Sequence, residues 1–198
     1  MRMLEYYSTG VAVAIMGAML SYGKTSFEDF TTAPFRPELI DRVEPLAFKL
    51  VRSGAGHDKF MEQIIHYLVI EAPRYWWSQF DTYRVGTSKS SESTMHTLMK
   101  KPLTQSNFQL PIGDAILANL NDLIASKKFN EAKNALPEGF LQTRLVVTNA
   151  KTLRNMYLQR KDHRLEEWKY FCDFFKSSQS LVHRLITYTG EDDGNLQT

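Results

Sequence analysis

The chain has 198 residues, carries 24 Lys+Arg against 22 Asp+Glu for a net charge of +2, and is 43% hydrophobic. That size suits one folded domain of about 100–200 residues whose core needs no disulfide or metal staple, and the near-balanced charge excludes a strongly basic nucleic-acid coat and an acidic tail protein. The single cysteine excludes an internal disulfide and a thiolate-only metal cluster, and it fits a reducing cytoplasm. The longest apolar run, Val11 to Leu20, is shorter than the roughly 20 residues a membrane span needs. No clean signal-peptidase site follows it. Residues 10–22 therefore read as a first helix, buried nearly all round. Pro37 opens a second helix, in which Leu39, Ile40, Val43, Leu46, Ala47, Leu50 and Val51 recur at helical spacing. Pro45 inside it predicts a kink or a break. Ser53 to Gly56 is a turn. Ile64 to Ile70 is a short β-branched run and predicts a buried strand. Pro73 then suits the first turn of a helix with Trp76, Trp77, Phe80 and Arg84 along one side. Gly86 to Ser93 is small and polar and reads as a loop. Ile112, Ala115, Ile116, Leu120, Leu123 and Ile124 make an amphipathic helix. Leu141 to Val147 predicts a second strand, and Asn149 can cap the helix after it. A last helix runs from about Arg164 to Tyr188, and Gly190 to Thr198 reads as a frayed tail. The element order is mixed α and β.

Taken alone, the residues give weak chemical signals. The chain has no phosphate-loop signature, no dinucleotide glycine fingerprint and no zinc spacing. His57, His66, His96, His163 and His183 are scattered along it. Cys172 falls on the apolar stripe of the last helix, where a small buried hydrophobe is the better reading than a nucleophile. A denser group is Asn149, Lys151, Arg154, Asn155, Arg160, His163 and Arg164. The start of a helix presents backbone N–H groups and a dipole that favour an anion. Such a face either holds a phosphate or planar heterocycle, or is a solvated basic helix, and composition alone favours the second. The Ser/Thr-rich loop beside Arg84 is equally open between donor to a phosphate and solvent loop.

Three blocks, read together, resemble the flavin-dependent thymidylate synthases. One is Gly56-His57 with Glu62 five residues after the histidine. Another is Ala72 to Arg84, in which Gln79 and Arg84 keep the spacing of that family's Gln and Arg-His-Arg. The third is Leu136-Pro137, a strand, and then Asn149-Ala150-Lys151-Thr152-Leu153-Arg154-Asn155 with Arg160 after it. Ala18 to Tyr22 resembles the family's Ala-rich opening. The resemblance implies an α+β fold, a single mixed α/β domain over residues 1–189 with a small central sheet flanked by long helices. It further implies a homotetramer whose active sites are built from several subunits. FAD, NADPH and methylenetetrahydrofolate would serve C5 methylation of a pyrimidine deoxynucleotide, dUMP to dTMP, with no nucleic-acid polymer and no membrane as partner. This route needs no enzyme cysteine nucleophile.

The resemblance also implies residue roles. His57, Arg84, Asn149, Lys151, Asn155 and His163 fall to the cofactor side, and Gln79, Ser93, Lys133 and Arg160 to the substrate side. Arg160 is the catalytic group, placed at the pyrimidine carbonyl. Lys151 and Lys133 each stand where the family has arginine, and an ammonium binds phosphate as a point charge without the bidentate fork. Thr82 and Tyr83 replace an Arg and a His. The stretch Thr87 to His96 lacks the family's substrate-holding Arg-Tyr, although Glu92 and Ser93 match its Glu and Ser once small insertions are allowed. The family's final Gln is absent too, while Glu167 and Trp168 suit that region. These departures motivate two alternatives: the same chemistry on another pyrimidine nucleotide such as dCMP, and a degenerate homologue that binds nucleotide or a partner without turnover. A helical interaction protein unrelated to the family is the remaining reading.

Overall fold

The computed structural model describes residues 1–32, 38–54 and 56–190. In chain order its elements are β1 (Arg2–Thr9), α1 (Val11–Leu20), α2 (Phe27–Thr32), α3 (Glu38–Ser53), a 3-10 segment (His57–Gln63), β2 (Ile65–Pro73) and α4 (Arg74–Phe80). After these come β3 (Ser88–Ser91), α5 (Thr94–Thr97), a 3-10 turn (Gln105–Asn107), α6 (Asp114–Ala125) and α7 (Phe129–Ala135). β4 (Leu141–Asn149), α8 (Ala150–Arg160), α9 (Glu166–Lys176) and α10 (Leu181–Thr187) complete them. The strands form one small antiparallel sheet in the order β1-β2-β4-β3. Mixed helices and strands with one small sheet bear out the α+β expectation. Among the described residues, no helix is long and apolar enough to cross a membrane.

Chain contacts define two compact units. One holds Met1–Leu4, Leu68–Arg84 and Ser88–Val146; the other holds Glu5–Tyr67, Val85–Thr87 and the segment from Val147 onward. In the first unit the indoles of Trp76 and Trp77 meet edge to face at 5.0 Å, and Phe80 packs on both. All three are fully buried, each by about 1.5–3 kcal/mol of hydrophobic stabilisation. Trp77 Nε1 also donates to Gln142 O at 3.0 Å, so its one polar group is satisfied. A second cluster in this unit gathers Leu98, Leu103, Phe108, Leu120, Ile124, Ala132, Leu136 and Phe140.

β2 buries alternate residues, and its second-unit residue His66 lies on that buried face. Glu5 of β1 accepts hydrogen bonds from His66 Nδ1 and from His183 Nε2, the latter at 2.9 Å. Gly10 joins β1 to α1 at φ +93°, and a Cβ there would stand 2.6 Å from the Gln63 carbonyl oxygen, which leaves room for glycine alone. Leu181, Val182, Leu185 and Ile186 of α10 are buried, and α10 packs against α8 and α9.

Several expectations need correction. β1 is absent from the sequence reading. Its inner positions include a charged Glu5 while Leu4 and Tyr6 are exposed, the reverse of the usual apolar-in alternation. α1 is not buried all round, since Val13 and Leu20 are exposed. α3 runs through Pro45 without a break. The start at Pro37 lies outside the described residues, as does the tail 191–198. The polar stretch after Gly86 contains β3, which its backbone pairing builds without any apolar side chain; the ladder is extended by Glu92 N donating to Thr143 O at 2.9 Å. The last helix is two, α9 and α10. The chain leaves α9 at Ser177 and restarts at Ser180, whose hydroxyl accepts from His183 N.

Candidate functional site

Asn149 ends β4 in extended conformation, and its Oδ1 accepts from Thr152 N at 2.8 Å, the cap its side chain predicts. Ala150 N donates to Ile64 O at 2.9 Å. Two of the first three backbone donors of α8 are thus already engaged within the chain, which reduces what the helix start itself offers an anion. Lys151 in the same turn reaches Glu62 Oε1 at 2.9 Å and Asp58 Oδ1 at 3.2 Å. The Glu62 hydrogen bond, aided by Asp58, outweighs burial and raises the ammonium above its ordinary range. Asn155 lies exposed on α8.

Of the basic residues on α8, Arg154 is drawn inward. Its Nη1 donates to Leu185 O at 3.1 Å and to Tyr188 O, so it satisfies carbonyls at the end of α10. Burial holds its guanidinium below the ordinary value, with Asp58 and Tyr188 opposing. Arg160 ends α8 with its guanidinium carbon 4.8 Å from the Trp168 ring centroid, a cation–π contact. His163 accepts from Leu165 N at 3.1 Å through Nδ1. Burial, Arg160 and Arg164 push it below the usual imidazole value, which favours its neutral form.

His57 follows Gly56, whose φ of +95° lets the chain turn into the 3-10 segment. It is exposed and lines a cavity of about 870 Å³ with Gly17, Tyr22, Leu50, Phe60 and Gln63. Residues 85–87 are fastened to the start of α8. Thr152 Oγ1 donates to Val85 O at 3.3 Å, and the hydroxyls of Thr87 and Thr148 are 3.0 Å apart. A Cβ on Gly86 would stand 2.6 Å from Asn149 Nδ2 and 2.8 Å from Thr152 Oγ1.

The remaining candidates belong to the first unit. Gln79 is half-buried on α4. Arg84 leaves the apolar side predicted for it, because α4 ends at Phe80 and Arg84 is exposed beyond the turn. Ser93 precedes α5, and its carbonyl accepts from His96 N and Thr97 N at 3.0 Å. Lys133 donates to Thr94 Oγ1. Burial, and then the nearby Arg74, lower its ammonium from the ordinary value. Arg74 is held by Leu136 O at 3.1 Å and by Glu138 at 3.1 Å. Two cations close enough to perturb each other make a place where an anion is favoured. No sequence expectation falls on Arg74 or Thr94, although Arg74 lies within the Ala72 to Arg84 stretch. Their proximity to Lys133 is a fact of the fold, with no signal in spacing.

No protein-family model matches the chain, and no curated protein matches it in sequence. Solved structures do resemble it. Thymidylate synthase X from Helicobacter pylori, with FAD and dUMP, matches at a TM-score of 0.71 and 16% identity, over 94% of this chain and 97% of that one. A further structure of the flavin-dependent thymidylate synthase from H. pylori, complexed with FAD and dUMP, gives 0.66 at 16% identity over 100% and 98%. The UMP/dUMP methylase PolB from Streptomyces cacaoi, bound with 5-Br dUMP, gives 0.67 at 15% identity over 94% of each chain. The chain has the fold of these flavin-dependent thymidylate synthases, and at such identity the likeness is one of fold.

Proposed function

We propose that this chain methylates a pyrimidine deoxynucleotide at C5 by a flavin-dependent route, most simply dUMP to dTMP. It would act as a cytoplasmic homotetramer with FAD, NADPH and methylenetetrahydrofolate, and residues 1–189 would be its catalytic domain. The observation that carries this reading is the likeness over 94% of the chain to a synthase crystallised with FAD and dUMP. The ordered blocks around His57, Gln79–Arg84 and Asn149–Arg160 support it.

The His57 cavity, about 870 Å³ with Tyr22 and Phe60 among its walls, fits a planar heterocycle, since small-molecule sites span roughly 300–1,000 Å³. His57, Arg84, Asn149, Lys151, Asn155 and His163 would hold the flavin. When bound, reduced flavin supplies hydride, and the folate supplies the one-carbon unit. The residues position and polarise. Lys133 and Arg74 together offer the substrate phosphate two positive charges, with Gln79 and Ser93 as neutral partners. The Arg160 guanidinium, in cation–π contact with Trp168, would face the pyrimidine carbonyl and stabilise charge developing on the ring as C5 becomes nucleophilic. Cys172 is buried, and burial pushes its thiol up to about 12, in keeping with a route that uses no thiolate.

The test is the absorption spectrum of purified protein with added FAD, followed by turnover of dUMP with methylenetetrahydrofolate and NADPH. Yellow protein that forms thymidylate supports the reading, and colourless protein that takes up no FAD overturns it. Arg160→Ala should lower kcat with an unchanged melting temperature, because the side chain lies at a helix end. A large fall in melting temperature would instead make Arg160 structural. Two observations favour a second substrate choice: the altered sequence around Ser93 and the likeness to a UMP/dUMP methylase. Competition among dUMP, UMP and dCMP in the same assay decides between them.

A further inference from the structure

Glu5, His66 and His183 come from β1, β2 and the first turn of α10, all in the second unit. One ligand atom from each lies within 4.8 Å of the other two. His66 is fully buried, His183 nearly so, and the Glu5 side chain is 16% exposed. The His66 and His183 rings lie 6.3 Å apart, and Phe175 stands edge to face with His183 at 5.1 Å. Glu5 and His183 also line a cavity of about 740 Å³, together with Ser8, Thr9, Ser180 and Val182.

We propose that Glu5, His66 and His183 form a binding site for one divalent transition-metal ion of the Zn²⁺ type, with an open coordination position toward this cavity. Two imidazoles and one carboxylate are a donor set that Zn²⁺ takes in open sites, the fourth place being left to water or an exogenous ligand. In the metal-free cluster each imidazole gives an N–H to a different Glu5 oxygen, so hydrogen bonds already bring the three ligand groups together. With Glu5 as carboxylate and both imidazoles neutral, as ligation requires, a bound dication would keep one net positive charge. Metal–ligand distances of about 2.0–2.2 Å set donors roughly 3–3.5 Å apart, and Glu5 Oε2 and His183 Nε2 already stand 2.9 Å apart. Closure needs the widest pair to contract and the directly hydrogen-bonded His66–Glu5 pair to open slightly.

The outer nitrogens set the strength of the site. His66 Nε2 and His183 Nδ1 are buried without a hydrogen-bond partner among the described residues. A ligating histidine moves its proton to the outer nitrogen and ordinarily donates it to a carboxylate or carbonyl, a partner whose loss weakens binding by about 10–100-fold. This site should accordingly be exchangeable and should yield its ion to a strong chelator.

The full chain, stripped with chelator, is titrated with Zn²⁺ and separately with Co²⁺. Elemental analysis should find one equivalent of zinc per chain, and Co²⁺ should give the visible bands of a four-coordinate site with nitrogen and oxygen ligands. Glu5→Gln, which keeps side-chain size, and the smaller His183→Asn should each weaken binding at least about tenfold. Far-ultraviolet circular dichroism shows whether they fold. If either variant fails to fold, the wild-type Co²⁺ spectrum decides. Absence of those bands, substoichiometric zinc, or equal uptake by wild type and folded variants would make the cluster a hydrogen-bonded core element and overturn the proposal.

Discussion

In the first unit Asp81 sits between Lys89 and Arg144; in the second Glu5 sits between His66 and His183. Both clusters place one carboxylate between two bases. Asp81 is 42% exposed at its side chain and Glu5 16%. Arg144 grips Asp81 with a single guanidinium nitrogen shared by both carboxylate oxygens, at 3.0 and 3.1 Å, and lies 4.2 Å from the Trp77 ring. A guanidinium keeps its charge at any ordinary pH and offers no lone pair, and an ammonium holds its proton at neutral pH, so at neutral pH that cluster works as a clamp on β3, β4 and the end of α4. An imidazole gives up a proton easily and then presents a ligand atom. The same arrangement thus becomes a fastening where the bases are permanent cations, and a prospective site where they are not.

The largest expected effect tests the platform of the clamp. Trp77→Ala removes a fully buried indole and its hydrogen bond to Gln142. It should cost about 3–5 kcal/mol in chemical denaturation, and a loss below about 1 kcal/mol would place Trp77 among ordinary surface positions. Next comes the contrast itself. Glu5→Leu strands two buried imidazole donors and should cost about 2–4 kcal/mol. Asp81→Leu removes a carboxylate that is 42% exposed but leaves the more covered Lys89 and Arg144 without it, and should cost less than Glu5→Leu, about 1–2 kcal/mol. Equal costs would erase the distinction between the clusters.

Acid titration gives a smaller effect. Burial raises the Asp81 carboxyl, but the hydrogen bonds from Lys89 and Arg144 prevail and hold it below its ordinary 3.8. A depressed carboxyl contributes stability that is present above the unfolded value and lost as pH falls through the folded one. Wild type should therefore lose its advantage over Asp81→Asn as pH drops below about 3.8, the reference carboxyl value, seen as converging melting temperatures. A constant gap down to the acid limit would sever Asp81 from that stability. The smallest effect concerns a buried titratable group with no base to serve it. Burial raises Cys172 to about 12, so iodoacetamide at mildly alkaline pH should leave the native thiol unlabelled and modify it once the chain is denatured.

Legibility in the sequence followed local physics. β2, α6 and β4 are readable because apolar residues repeat at the element's own period, and α8 because Asn149 announces its cap. β3 has no such period: Ser88 to Ser91 form a strand through backbone pairing alone. β1 misleads because Glu5 faces inward to meet two histidines from distant segments. The break between α9 and α10 is carried by serines that a continuous apolar stripe hides. Among site residues, the neighbourhoods of His57 and Asn149 follow from short-range sequence. The pairing of Lys133 with Arg74, the diversion of Arg154 to carbonyls of Leu185 and Tyr188, and the gathering of Glu5, His66 and His183 depend on chain reversals that no spacing encodes.

Gly86 presses against the amide of Asn149 and the hydroxyl of Thr152 with no room for a methyl group. Any descendant of this chain that exchanges the glycine must first make room at both neighbours and still bear a φ of +70°, since the reverse order passes through a crowded intermediate. Position 86 can therefore drift only behind 149 and 152, and the three should change as a linked set with a preferred mutational sequence.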